Sequence, residues 1–380
     1  MSVYTVSVEP SGDALNVGLL RELRLRDPGI ALHAIGGARV EREGFESAID
    51  VGPLSVVGFV EGIKILPAVK RLVVLAARDI LRVVPDAVVL IDSWGFSIRL
   101  AQRLRNCGYQ GQIVKYVAPQ VWAMRQGRAR VLARHVDRLL ALYPFDAPFF
   151  EAEGLPTEVV GNPVLDVDWN GGDGPGFRER HSIAGADPLL LVAFGSRVGE
   201  IERLTAPFLA TIAKLKARRP DLTVVTPVVP NTRAQLMARL ATAGLDARHI
   251  VPVADETRDA LAASDIALLK SGTITTQAAD ARVPSVVAYA VNPLTYWPAR
   301  MLMKADHISI VNVCAGAELM PEYIQHAIDP EAMAARLDGW LADPAKAQAL
   351  GDAMRAVTER MRGEGGANAR AAEAVLRVLE

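Results

Sequence analysis

Short apolar runs alternate with amphipathic stretches along most of the chain. Residues 3–8 read as a strand. Leu15, Leu19, Leu20 and Leu23 recur behind it at helical spacing, and Asp27-Pro28-Gly29 closes that helix. A second strand follows at 31–35. The rhythm repeats with strands at 87–91, 113–117, 139–142 and 157–160, and helices at 68–83, 97–107 and 128–138. A Gly- and Asp-rich run at 166–188 breaks it. It resumes with strands at 189–193, 223–229, 250–251, 266–269 and 285–289, and helices at 200–218, 231–243 and 256–263. This alternation predicts an α/β chain of two Rossmann-like, doubly wound parallel sheets. The division expected is an N-terminal domain over 1–165, a linker over 166–188, a C-terminal domain over 189–350, and a helical segment over 351–380 packing back on the N-terminal domain.

Composition narrows the function classes. The 380 residues suit two domains, and 51% are hydrophobic, far from a disordered chain. Lys plus Arg number 42 and Asp plus Glu 43, so no global basic excess points to nucleic acid. Cys107 and Cys314 stand far apart, which predicts a reducing compartment and no disulfide framework. The N-terminus shows no signal-peptide pattern, and no apolar run reaches the roughly 18 residues of a spanning helix. A cytoplasmic protein is expected, one able to lie on a membrane. The stretch 54–83 mixes Val56, Val57, Phe59, Ile63 and Leu66 with Lys64, Lys70, Arg71, Arg78 and Arg82. That mixture suits an anionic lipid surface, and equally a core helix with a solvated face.

Candidate chemistry clusters in loops after strands, where ligands of such sheets bind. Glu9-Pro10-Ser11-Gly12-Asp13 follows the first strand, without the G-x-G-x-x-G of a dinucleotide site. Asp92 ends the apolar 87–91 run and is placed as a general base, or as a helix cap, a task Ser93 or Ser97 also suits. Trp122 beside Arg125 and Arg128 offers a sugar-stacking and phosphate-binding wall. In the second half Gly195-Ser196-Arg197 follows a strand. Ser271-Gly272-Thr273 joins another to a helix carrying Gln277. The latter turn is either a phosphate site at a helix N-terminus or an ordinary capped turn. No metal-type ligand cluster is seen.

Several motifs in order carry a family resemblance: EPSGD at 9–13, EGFES at 43–47, LSVVGFVE at 54–61, ID at 91–92 and VWAMRQGR at 121–128. In the second half they are GSRVGEIERL at 195–204, SGT at 271–273, VVAY at 286–289, PLTYWPAR at 293–300, and N-x-x-AG-x-EL-x-PE between Asn312 and Glu322. Over nearly its whole length the chain resembles the lipid-A-disaccharide synthases, bacterial glycosyltransferases of GT-B fold with two domains facing across a cleft.

The resemblance implies transfer of 2,3-diacylglucosamine from UDP to the 6-hydroxyl of 2,3-diacylglucosamine 1-phosphate, with inversion, release of UDP and no metal or other cofactor. The partners it implies are those two lipids and the inner-membrane surface, with a homodimer left open. Its catalytic residues would be Asp92 as base, Arg197 at the diphosphate, and Asn312. Its substrate-binding residues would be Glu9, Ser11, Gly12, Asp13, Trp122, Arg125, Gly195, Ser196, Lys270, Ser271, Gly272, Thr273, Gln277 and Glu318. The first domain would take the acceptor and face the membrane; the second would take the UDP-sugar.

The chain also departs from the family pattern. Gly95 replaces a second carboxylate after Asp92. Gln277 replaces a Glu that accepts from the ribose hydroxyls, a change worth ~1–3 kcal/mol of nucleotide binding. Lys270 replaces a small residue and would add a cation at the diphosphate. Ala317 stands for an Arg, Asn162 for a His, Phe194 for a Pro and Val8 for a Gly. These changes keep two alternatives in view: a paralogous transferase with a changed donor or acceptor, and a catalytically impaired lipid-binding protein of the same fold. A sugar epimerase on that fold is a more distant reading.

Overall fold

The computed structural model describes residues 1–52, 66–244, 250–291 and 306–380. The motif stretches at 54–61 and 293–300 lie outside the described residues. The chain divides into two compact units. The described residues of the first lie within Met1–Asp166 and Arg362–Glu380; those of the second lie within Val167–Val291 and Asp306–Met361.

In the first unit the elements are β1 (Ser2–Val6), α1 (Pro10–Arg26), β2 (Ala31–Ile35), α2 (Ala38–Arg42), α3 (Leu66–Val83), β3 (Ala87–Ile91), α4 (Trp94–Asn106), β4 (Gln112–Tyr116), α5 (Gly127–Ala133), β5 (Arg138–Ala141), α6 (Ala147–Glu151) and β6 (Thr157–Val159). The strands form one parallel sheet in the order β2-β1-β3-β4-β5-β6. All five residues of β3 are buried, as a strand covered by helices on both faces requires. Each such fully buried Val, Leu or Ile contributes ~1.5–3 kcal/mol. The helix expected over 128–138 stops at Ala133, because Val136 turns into the core and Asp137 accepts from the Ile113 N–H at the start of β4.

The second unit holds α7 (Gly174–Arg180), β7 (Leu189–Ala193), α8 (Val198–Arg218), β8 (Thr223–Pro227), α9 (Pro230–Thr242), β9 (Val251–Val253), α10 (Thr257–Ala263), β10 (Ile266–Lys270), α11 (Thr273–Asp280), β11 (Ser285–Tyr289), α12 (Ile310–Ala315), β12 (Glu322–Ile324), α13 (Pro330–Ala342) and α14 (Pro344–Arg362). Its parallel sheet is ordered β12-β11-β10-β7-β8-β9. The short β12 escapes the apolar pattern because it is only half-buried.

Two boundaries differ from the expectation. Residues 167–188 are no linker; they belong to the second unit. Asp173 accepts from the Gly176 N–H and caps α7, whose Phe177 is fully buried. The glycines that suggested flexibility are points of close packing: a Cβ on Gly172 would lie 2.5 Å from the Arg258 carbonyl, and one on Gly174 2.6 Å from that of Ala262. At the other end α14 stays with the second unit, and only the chain from Arg362 onward joins the first. There α15 (Ala367–Arg377) packs Ala371, Ala372 and Val375 with Leu19 and Leu23 of α1, and Asp166 accepts from the Ala367 and Asn368 N–H groups at its start.

A buried ion cluster ties the second unit together. Asp280, fully buried at the end of α11, lies 2.9 Å from the Arg355 guanidinium and accepts from the Thr358 hydroxyl and the Trp169 N–H. Replacing one member of a buried pair strands the others. Asp280→Ala should cost about 3 kcal/mol, read from the urea midpoint of the second domain, whereas the exposed Asp352→Ala should leave that midpoint in place.

Candidate active site

Each sheet reverses its winding once, and the crevice beyond that reversal is where open α/β sheets bind ligands. In the first domain the reversal lies between β1 and β3, whose Val6 and Leu90 are register partners. The loops leaving these strands carry Glu9 to Asp13 and Asp92. Asp92 and Ser93 both have left-handed backbones, with φ of 52° and 38°. The Ser11 hydroxyl donates to the Asp92 carboxylate at 3.0 Å, joining two predicted residues across the reversal. Gly12 sits against the same turn: a Cβ there would lie 3.4 Å from the Asp92 Cβ. Glu9 precedes α1 in an extended conformation.

Asp13, expected to line the substrate site, is hydrogen-bonded within the protein. Its carboxylate, buried, accepts from the Gly37 N–H at 2.8 Å, the Arg39 N–H at 3.0 Å and the Ser7 hydroxyl at 3.1 Å. It shapes the β2–α2 loop.

The residue that holds the Asp92 turn was not foreseen. Lys115, in the middle of β4, is 1% exposed and donates to the carbonyls of Asp92 at 2.6 Å, Tyr116 at 3.0 Å and Leu90 at 3.2 Å. Burial pushes its ammonium down to about 7, while the Asp92 and Glu9 carboxylates pull the other way. Three acceptors match the three donors of an ammonium. A lysine inside an otherwise apolar central strand was the available signal, since lysine is almost never fully buried without a partner.

Beyond β4 and β5 lies an aromatic ladder. Trp122 meets Phe145 edge-on at 5.4 Å, Phe145 stacks on Tyr143 at 5.3 Å, and Asn162 donates to the Tyr143 hydroxyl. Arg125 is exposed with φ 57°. The Arg128 guanidinium lies over the Trp94 ring at 5.2 Å.

In the second domain the reversal lies between β7 and β10, where Ala193 and Leu269 are register partners. Gly195 takes φ 118°, and a Cβ there would lie 2.6 Å from the Glu200 carboxylate, so only glycine fits. Glu200, half a turn into α8, accepts from the Ser196 and Arg197 N–H groups at 3.0 and 3.3 Å. The Arg197 side chain is 67% exposed and only 3.7 Å from Glu200, leaving it able to reach a ligand.

On the neighbouring strand Lys270, expected at the diphosphate, has a carboxylate partner in the protein. Its ammonium pairs with Glu200 at 2.8 Å and lies over the Tyr289 ring at 5.5 Å. The cation is neutralised in place and clamps the two loops of the reversal together. Glu200 was inside a recognised motif but had not been singled out.

The Ser271 N–H is also occupied, by the Ala288 carbonyl. The N–H groups of Gly272, Thr273 and Ile274 have no protein acceptor among the described residues, and they open the two-turn helix α11. Such N–H groups at the positive end of a helix dipole suit a diphosphate. Gln277 follows on the same helix, half-buried, and its side chain makes no hydrogen bond to a described residue.

Asn312 is likewise bonded within the protein. It is fully buried, and its amide donates to the Met320 carbonyl and the Glu322 carboxylate while its oxygen accepts from the Leu319 and Met320 N–H groups. With its amide donating twice and accepting twice within the protein, it holds the loop between α12 and β12. Glu318 is exposed and accepts from the Glu322 N–H. Among the described residues no cluster of three metal-type side chains occurs.

Two doubly wound α/β domains, each with polar groups gathered at its winding reversal, define a chain of the GT-B class. Solved structures share that fold. A UDP-GlcNAc 2-epimerase from Neisseria meningitidis aligns over 99% of this chain and 100% of its own with TM-score 0.68 at 14% identity. A protein from Anabaena, solved with UDP and glucose, aligns over 99% of this chain and 100% of its own at TM-score 0.57 and 14% identity. Family-level evidence is stronger. Residues 3–375 match the model of the lipid-A-disaccharide synthetase family. The lipid-A-disaccharide synthase of Rhodospirillum centenum is 38% identical, covering 99% of this chain and 94% of that protein. The synthase of Pseudomonas aeruginosa is 36% identical over 100% and 98%. The chain belongs to the lipid-A-disaccharide synthase family, and its activity is hexosyl transfer in lipid A assembly.

Lys115→Met tests the Asp92 turn. The lysine is held near 7 in the fold against 10.5 when free, so the stability it contributes is present above pH 10.5 and lost as pH falls through 7. The difference in unfolding free energy between wild type and Lys115→Met should therefore rise with pH between 7 and 10.5, by up to about 1.4 kcal/mol per pH unit. A flat difference across that window in urea titrations contradicts the assignment.

Proposed function

We propose that this enzyme transfers 2,3-diacylglucosamine from its UDP carrier to the 6-hydroxyl of 2,3-diacylglucosamine 1-phosphate, giving the β-1,6-linked disaccharide and UDP. The observation that supports this reading is the division of labour between the winding reversals. The first carries a carboxylate, Asp92, steadied by Ser11 and Lys115. The second carries an exposed guanidinium, Arg197, and the N–H groups that open α11.

Asp92 takes the proton of the acceptor 6-hydroxyl as that oxygen attacks the anomeric carbon. The bond from that carbon to the diphosphate oxygen breaks, and its electron pair leaves with UDP. Arg197 and the Gly272, Thr273 and Ile274 N–H groups take up the developing negative charge. A single displacement inverts the anomeric centre. Gln277 offers one carbonyl oxygen to the ribose of the donor. Both substrates carry acyl chains, and α3 fits their delivery from a membrane surface. It exposes Val74 and Leu75 beside Lys70, Arg71 and Arg78. No described helix is long and apolar enough to cross a bilayer. Peripheral attachment to the cytoplasmic face of the inner membrane follows as part of the proposal.

One observation favours a second reading, a paralogue with a changed donor: the carboxylate expected at 277 is an amide with no hydrogen-bond partner among the described residues. A panel of acylated UDP-sugars separates the two, since preference for another nucleotide sugar supports the paralogue.

Asp92→Ala should lower kcat by ~10²–10⁴, and Arg197→Ala by ~10²–10³, each with an unchanged thermal transition. Wild-type turnover in the Asp92 variant removes it as the base. Binding to anionic vesicles should weaken in the double variant Arg71→Glu, Arg78→Glu, as cosedimentation at low and high salt would show; unchanged binding contradicts the role given to α3.

A further inference from the structure

Several arginines of this protein are paired with carboxylates. Arg21 is bound to Glu43, Arg105 to Asp137, Arg178 to Asp265 and Arg219 to Asp338. On the short helix α5 itself, Arg130 meets Glu153 at 3.1 Å. Arg125 and Arg128 are not among them. Neither has a carboxylate within ion-pair distance among the described residues, although Arg128 is half-buried. Both burial and the neighbouring Arg125 charge push the Arg128 guanidinium below its ordinary range. Two like charges brought together, partly out of water and uncompensated, raise the energy of the empty site, and an anion relieves both causes at once.

The geometry also says which anion. The Arg128 guanidinium lies over the face of Trp94, which fixes the plane of its fork. Trp94 stands two residues beyond Asp92, on the turn whose left-handed Asp92 and Ser93 are held by Lys115. The proposed base and the ring beneath the guanidinium are therefore carried by one turn of backbone. Arg125, left-handed itself at φ 57°, lies in the loop that leads from Trp122 into α5. A planar fork beside a second guanidinium suits the three oxygens of a phosphate monoester. The diphosphate of the donor already has its own groups, Arg197 and the start of α11, in the other domain.

We propose that Arg125 and Arg128, braced by Trp94, bind the 1-phosphate of the acceptor sugar and so aim its 6-hydroxyl at Asp92. This rests on the transferase reading above and assigns it a specificity element: the first domain selects an acceptor by its anomeric phosphate. An acceptor lacking that group loses the anchor but keeps access to the base.

The test is steady-state kinetics of the full-length protein in mixed micelles, with the phosphorylated acceptor and with its analogue lacking the 1-phosphate. Arg128→Ala should raise KM for the phosphorylated acceptor tenfold or more and leave KM for the donor unchanged. Arg128→Lys should recover part of the loss. With the dephosphorylated analogue, wild type and Arg128→Ala should be equal. An equal loss on both acceptors, or a loss on the donor side, overturns the proposal. Calorimetry with glucosamine 1-phosphate gives a readout independent of turnover. Wild type should bind it and Arg128→Ala should bind it at least tenfold more weakly; equal binding overturns the clamp even if transfer is intact. Absence of transfer in wild type with binding intact instead removes the transferase reading and leaves the clamp. Trp94→Phe, which keeps an aromatic face, checks that any loss in Arg128→Ala is not a folding defect: it should retain most of the affinity.

Discussion

In each sheet the chain must reverse its winding direction once, and everything proposed for the site follows from that constraint. At a reversal two adjacent parallel strands send their following helices to opposite faces, so their loops part and leave a crevice. Here those strand pairs are β1 with β3 and β7 with β10. The loops that part carry Ser11 and Asp92 in one domain, and Arg197 and the start of α11 in the other. No other pair of strand ends in either sheet has this geometry, so the polar residues gather where the topology leaves room.

Parting loops need to be held, and in both domains a lysine does it, fully buried in the first and half-buried in the second. Lys115 satisfies three carbonyls beneath the Asp92 turn. Lys270 binds Glu200, which in turn caps the loop before α8. Burying an ammonium is costly unless its donors and charge are met. In both places they are met by the loops that would otherwise splay, so the cost is offset by fixing the site. The Asp280 cluster does the same for α11, anchoring the far end of the helix whose first turn is proposed to meet the diphosphate.

Much of this was legible in the sequence. Strands 87–91, 189–193 and 285–289 fall where the apolar runs place them, because a strand buried on both faces carries few polar residues. Asp92, Ser11, Arg197 and Gly272 were legible as loop residues after such strands. What was not legible shares one cause: residue type announces chemistry but not partners. Asp13 and Asn312 look like site residues because they are polar and sit in recognised motifs. Their side chains are instead consumed by backbone amides that only the fold brings near. Lys270 looks like a free cation until Glu200, 70 positions earlier, is seen beside it. The glycines of 166–188 read as flexible because sequence cannot separate a glycine that permits motion from one that permits contact.

The central claim is a single inverting displacement at an acceptor hydroxyl. It is tested most directly by incubating the purified protein with UDP-2,3-diacylglucosamine and 2,3-diacylglucosamine 1-phosphate and determining the product by NMR. The account predicts one UDP released per disaccharide formed, with a β linkage to O6 and the 1-phosphate retained. Release of UDP without disaccharide, an α linkage, or a donor sugar altered only at its own ring carbons would contradict it.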